Sequence, residues 1–338
     1  MLGLFEKRFE GDDCLLELAR QRFQQAGLGA EMHAGCPDEL EHVFRFRPWP
    51  DAPVTVHLPR DLSVRYPLSR QRIAEFASRF AGRANRFIVH DDSTLAKEPE
   101  SYVRAAREME ARLAGIPGVP TLFVEYAAGM EPKDFARFFE AIRDLKHVSA
   151  CIDIGHVGIW QTRRTYAEDH LGQDVCALKS QPPELPRLMP DVAEAMTSAL
   201  PAVLGLIESV GALGKPIHFH LHDGHPLSTF SPFGVSDHLS FLAEVPLNFE
   251  FRGRQVAPLL YGPAGLARIT RAALQNIGPE RVSFTLEIHP TFERLPLGDD
   301  AQRFKHWTDK TNAERMNHWL AVLAGNKAVL LEGVYAGG

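Results

Sequence analysis

The chain has 338 residues, 45% of them hydrophobic and 24% charged, with a formal net charge of -6. That balance provides for a large core and calls for neither nucleic acid nor an anionic membrane as partner. Four cysteines, Cys14, Cys36, Cys151 and Cys176, form no CxxC pair and no zinc-finger spacing, so they read as reduced thiols of a cytoplasmic protein. The opening stretch MLGLFEKRFEGDD reaches acidic residues too soon for a secretory signal. No run approaches the roughly 20 apolar residues of a bilayer span.

Taken in chain order, short apolar runs alternate with segments of helical spacing. The predicted strands are LGLFEKR (2–8), GAEMHAG (29–35), PVTVHLP (53–59), NRFIVHDD (85–92), PTLFVEYAAG (120–129), VSACIDIGH (148–156), PIHFHLHD (216–223) and RVSFTLEIHP (281–290). Between them CLLELARQRFQQAG, SRQRIAEFASRFAG, SYVRAAREMEARLAG, PKDFARFFEAIRDL, PDVAEAMTSALPAVLGLIESVGAL and GPAGLARITRAALQNIG carry apolar residues at helical spacing, several closing on Gly. Eight strands separated by helices predict a single-domain (β/α)8 TIM barrel over 1–338. The absence of a Gly-rich phosphate loop after the first strand argues against an open dinucleotide-binding sheet. Long insertions follow the sixth and seventh strands, the second containing a hairpin-like LNFEFRGRQV. C-terminal helices follow the eighth strand, with Trp307, Leu320 and Leu323 as a face for packing or for a homo-oligomer contact.

The ends of the strands carry the chemistry. VTVH stops on His57, FIVH on His90, LFVE on Glu125, ACID on Asp153, HFH on His220 and FTLE on Glu287. The intervals are 33, 35, 28, 67 and 67 residues. One βα unit of a barrel takes roughly 30 residues, so the short intervals are single units and the long ones are units with insertions. Such residues point to the C-terminal mouth, where barrel enzymes place their chemistry. Burying several carboxylates with several imidazoles requires a compensating cation, and this donor mix suits Zn2+, Mn2+, Co2+ or Fe2+. His222 and Asp223 lie just past the strand as supporting or loop residues. His218 lies one layer deeper than His220, His225 reads as surface, and His33 and His289 are rim candidates.

These motifs resemble the xylose-isomerase-like barrel superfamily, which unites sugar-phosphate isomerases and epimerases with apurinic endonucleases of the endonuclease IV type. VEYAAG resembles its Glu-Asn-x-x-Gly strand-five end and CIDIGH its Asp-x-x-His motif. HLHD, TLE and SDHLSF resemble the later motifs. The resemblance implies that Glu125, Asp153, His220 and Glu287 hold one divalent metal, that Glu125 and Glu287 shuttle a proton, and that His156 contacts substrate. In the endonuclease branch it implies a further site at His57, His90 and Glu125. It implies another at His156, His238 and an aspartate whose position is Ser236 here. Tyr126 replaces the asparagine of strand five. His57 and His90 are either metal ligands or substrate contacts. Arg60, and Arg163 with Arg164, are candidate anion contacts.

The activity implied is a divalent-metal-dependent sugar or sugar-phosphate isomerase or epimerase working through a metal-stabilised enediolate. The alternatives are a multinuclear-zinc phosphodiesterase and a keto-polyol dehydratase. The expected partner is a small-molecule sugar or sugar phosphate.

Overall fold

The computed structural model describes residues 2–4, 12–92, 94–127, 129–175, 185–225, 236–242, 245–251, 254–257, 259–288 and 312–335. Strands β1 (Leu2–Leu4), β2 (Gly29–His33), β3 (Val54–His57), β4 (Arg86–His90), β5 (Thr121–Glu125), β6 (Val148–Asp153), β7 (Ile217–Leu221) and β12 (Val282–Leu286) close into a barrel. Its order is β1-β12-β7-β6-β5-β4-β3-β2, and the ladders running from β12 through β1 to β6 are parallel. The fold is therefore the expected α/β TIM barrel. β12 is the predicted eighth strand, and the excursion before it contains two short hairpins, β8 (Asp223–His225) with β9 (Ser236–Leu239) and β10 (Val245–Phe251) with β11 (Arg254–Ala257).

Packing groups the chain into two compact units. The first comprises Met1–Ile152, Ser209–His220 and Asn276–Leu286, and the second Asp153–Glu208, Leu221–Gln275 and Glu287–Gly338.

The first unit holds nearly all of the barrel together with α1 (Asp13–Ala26), α2 (Pro37–Phe44), α3 (Pro67–Arg79), α4 (Thr94–Lys97), α5 (Pro99–Leu113) and α6 (Pro132–Ala141). Helix α1 begins where the Asp12 carboxylate accepts the Leu15 amide, and it ends at Gly27 with φ 60°, a left-handed cap that favours glycine. Helices α2, α3, α5 and α6 each start on a proline in the first turn, which costs no hydrogen bond there. Alternate strand residues such as Val54, Val56, Phe87, Val89, Leu122, Val124 and Phe219 are fully buried, as expected for strands covered on both faces. The opposite parity fills the barrel unevenly. Ile88, Phe123 and Cys151 form an apolar cluster, while Glu31, Thr55, His218 and Thr285 are buried polar groups.

The second unit holds α7 (Ile154–Asp169), α8 (Leu185–Met196), most of α9 (Ala199–Gly211) and of α10 (Gly262–Ile277), and α11 (Asn312–Tyr335). Three expectations change here. The predicted run PDVAEAMTSALPAVLGLIESVGAL is two helices, broken at Thr197 and Ser198, where side-chain hydroxyls bond back to the Glu194 and Ala195 carbonyls. Arg187–Gly211 is long and apolar enough to cross a bilayer by length and composition, at mean hydropathy 1.2, where the sequence reading saw no such run. Its Met189, Val192, Val203, Ile207 and Val210 are fully buried within the fold, and a core helix meets the same criterion. Among the described residues the C-terminal segment holds one helix, α11, whose Leu320 and Leu323 are buried within this chain, so of the two roles expected for them packing is the one seen. Trp307 lies outside the described residues.

Candidate metal centre

In the first unit the strand ladder sets the donors in register. His33 pairs with His57 across β2 and β3, and His90 pairs with Glu125 across β4 and β5, each the last residue of its strand. The donor atoms of His57, His90 and Glu125 all lie within 4.8 Å of one another. Glu125 Oε2 stands 3.0 Å from His57 Nε2 and 3.5 Å from His90 Nε2, and Oε1 stands 3.3 Å from His220 Nδ1. His33 stacks on His57 with ring centroids 4.8 Å apart.

The protons on His57 can be placed. Its Nδ1 lies 3.1 Å from the Leu58 carbonyl, which only accepts, so Nδ1–H donates there. The lone pair of Nε2 then faces the Glu125 carboxylate across 3.0 Å. Two acceptors at that distance repel, and a second proton or a cation between them removes the conflict. Burial alone would raise the Glu125 carboxyl, but His220 and His90 outweigh it and hold it well below the usual carboxylate range.

In the second unit the donors come from the start of α7 (Asp153 and His156), the residue after β7 (His222) and the short strand β9 (His238). Asp153 ends β6 and caps α7, its Oδ1 accepting the His156 amide at 2.9 Å. The donor atoms of Asp153, His156, His222 and His238 all lie within 4.8 Å of one another. His222 Nε2 is 2.8 Å from Asp153 Oδ1, His156 Nδ1 is 3.3 Å from Oδ2, and His238 Nε2 is 3.4 Å from Glu287 Oε1. His238 adopts φ 63°, a left-handed conformation that a non-glycine residue holds only when its surroundings demand it. Gly155 and Gly158, near the start of α7, leave room for neighbours. A Cβ on Gly155 would lie 1.9 Å from the His222 ring, and one on Gly158 would lie 2.0 Å from the Tyr261 hydroxyl.

Helix α11 holds the loops of this second group. Trp319 Nε1 donates to the Ile288 carbonyl at 2.9 Å, next to Glu287. The buried Asn326 accepts the Phe241 amide at 3.0 Å and donates to Ser240 Oγ at 2.8 Å, just past His238.

Both groups fit a divalent cation. Asp153 Oδ2 and His222 Nε2 are buried with no hydrogen bond, a cost that a bound ion removes. The mixed imidazole and carboxylate donors are compatible with a divalent metal.

Several assignments change. His222, expected as a supporting or loop residue, belongs to the second group. Asp223 instead anchors α10: its carboxylate accepts the amides of Gly224 at 2.8 Å, Tyr261 at 3.2 Å and Gly262 at 2.7 Å. Burial pushes its carboxyl up to about 7 against the pull of those amides. Arg163 pairs with Asp174 and Arg164 with Glu168. Arg60 is exposed in the turn after β3 and forms no ion pair among the described residues. Tyr126 is buried: its amide donates to the Cys151 carbonyl at 3.0 Å and its hydroxyl to the Met130 carbonyl. Glu31, fully buried in β2, escaped the sequence reading. Its parity with His33 was the available signal. His289 and Cys176 lie outside the described residues, as do the side chains of His225 and Ser236.

No family model and no curated protein matches this sequence. Among solved structures, a xylose isomerase domain protein from Planctomyces limnophilus matches at 12% identity and a TM-score of 0.42, over 92% of this chain and 93% of that one. A likeness that distant assigns no function to this chain.

Proposed function

We propose that this protein is a divalent-metal-dependent isomerase or epimerase of a sugar or sugar phosphate. The observation that carries the reading is the run of strand ends. His33, His57, His90, Glu125 and Asp153 close five successive barrel strands, β2 to β6, and Glu125 is buried against three imidazoles. The motif resemblance assigns Glu125, Asp153, His220 and Glu287 to one ion, and that assignment is part of the proposal. Held there, a divalent cation supplies the Lewis acidity that makes a proton α to a carbonyl removable through an enediolate.

The chain's own groups do the rest. Glu125 acts as the base that removes the proton. Glu287 returns the proton, His156 orients a substrate oxygen, and His57 and His90 bind substrate hydroxyls. The test is exchange of a substrate C–H with solvent deuterium. Mn2+- or Co2+-loaded protein is incubated with a panel of ketoses and ketose phosphates, and incorporation is read by mass spectrometry. The reading expects exchange on at least one substrate and its loss in Glu125→Gln. No exchange anywhere on the panel contradicts it.

A second reading, a multinuclear-metal phosphodiesterase, is favoured by one observation: His222 supplies a donor beside Asp153, His156 and His238 where Ser236 supplies none of the expected kind. Elemental analysis separates the two, with about one ion per chain for the first and two to three for the second.

A further inference from the structure

Beneath His220 lies a row of polar groups, none of them a ligand in the reading above, and all of it in the barrel unit. Ser283 Oγ is 2.7 Å from His218 Nδ1, and His218 Nε2 is 3.1 Å from Thr285 Oγ1. Thr285 Oγ1 donates to Glu31 Oε2 at 2.7 Å. Glu31 Oε1 is 3.1 Å from His220 Nε2, and on the far side of that ring Nδ1 is 3.3 Å from Glu125 Oε1. Glu31, His218 and His220 are fully buried.

One assignment of protons satisfies the hydrogen bonds among Ser283, His218, Thr285 and Glu31 Oε2. The Thr285 hydroxyl gives its hydrogen to Glu31, so its oxygen can accept from His218 Nε2–H. His218 Nδ1 then accepts from the Ser283 hydroxyl, and His218 is neutral with both nitrogens used. Glu31 Oε1 accepts no hydrogen bond, and His220 Nε2 stands 3.1 Å from it, close enough that an Nε2–H turned toward it would fill it.

A charged residue at this depth needs a reason, because an apolar side chain of similar volume is commonly no less stable in a core. Glu31 faces the same interior as Ile88, Phe123 and Cys151. What the carboxylate adds is direction. An acceptor behind an imidazole fixes the ring's orientation and tautomer, and makes its other nitrogen a better donor.

We propose that Glu31 is a positioning residue: it holds the Nε2 proton of His220 and so turns Nδ1 toward Glu125 as the atom offered to a cation. The proposal rests on His220 being a metal ligand. His218, with hydroxyls on both nitrogens, is a prop for Glu31 and not a ligand.

The test uses the full chain with ring-15N-labelled histidine. Long-range 1H–15N spectra of the metal-free and Zn2+-loaded protein report which nitrogen of His220 is protonated, with the signal assigned by its loss in His220→Asn. The expected result is a proton on Nε2 in both states. In Glu31→Met, which keeps volume and removes the acceptor, the proton moves to Nδ1 in the metal-free protein. Co2+ then binds roughly 10–100-fold more weakly, as for loss of other outer partners of a ligating histidine. Glu31→Gln keeps an acceptor oxygen and restores most of the affinity. An unprotonated Nε2 in the native chain, or unchanged Co2+ affinity in Glu31→Met, overturns the proposal. If Glu31→Met does not fold, the native spectrum and Glu31→Gln still decide. If the native chain binds no Co2+, the metal reading fails, while the metal-free spectrum still judges the contact with Glu31.

Discussion

The two donor groups differ in how their protons and geometry are set. In the barrel group, His57 Nδ1 faces a carbonyl, and this directs Nε2 at Glu125. In the second group, His222 Nδ1 lies 3.0 Å from the Asp223 carbonyl and 2.8 Å from the His238 amide nitrogen. The carbonyl calls for a proton on Nδ1 and the amide for a lone pair, so this ring has two competing states. In one, Nε2–H faces Asp153; in the other, Nε2 is free for a cation. The barrel donors end paired barrel strands, whereas His222 sits between β7 and β8 in space left by Gly155, and His238 lies in the short β9 with a left-handed φ. A ladder fixes geometry by register; a group gathered from outside the barrel ladder requires separate supports, each of which can be removed.

The strongest way to break the second group alone is Gly155→Ala. The new methyl would overlap the His222 ring, whose nearest atom is 1.9 Å from the Cβ position. We expect a loss of about 3 kcal/mol in urea unfolding, at the upper end for overpacking, with Co2+ affinity of the barrel donors retained. A variant as stable as the native chain would mean that the ring has room to move, and the claim of fixed geometry would fall.

A milder probe is Asn326→Ala, which strands the Phe241 amide and frees the segment after His238. The expected cost is about 1–2 kcal/mol, accompanied by weaker ion binding at the second group. An effect on stability without any effect on ion binding would show that α11 packs the fold but does not support the donors.

The smallest effect expected is a pH slope. His218 has its folded value depressed to about 4 from an ordinary 6.5. Below about pH 6.5 the unfolded chain takes up a proton that the folded chain refuses, so stability is full above 6.5 and falls as the pH drops toward 4. His218→Gln should flatten urea midpoints across that window. Parallel profiles would place the acid sensitivity elsewhere.

How much was legible follows from the same contrast. His57, His90, Glu125, Asp153 and His220 could be read because each follows an apolar run, at or next to its last residue, at barrel spacing. Helix α7 was missed because Gly155, Gly158 and Ile/Val residues depress its intrinsic propensity, and the glycines are needed for space rather than for helix formation. His222 sits one residue beyond β7, where strand parity no longer says which way a side chain points. Glu31 was hidden because a lone charge between Ala30 and Met32 reads as an exposed strand position, whereas both barrel faces are buried here. The split of α8 from α9 was masked by continuous apolar spacing across Thr197 and Ser198.

The claim on which the account depends is that buried imidazoles and carboxylates at the barrel's strand ends are gathered around a cation. An anomalous-difference map from crystals grown with Zn2+ or Mn2+ tests it directly. The account predicts a peak within about 2.0–2.3 Å of Glu125 and of at least one of its imidazole neighbours His57, His90 and His220. A map from saturated crystals with no peak among these residues, and His57 bonded to Glu125 through a proton alone, would contradict it.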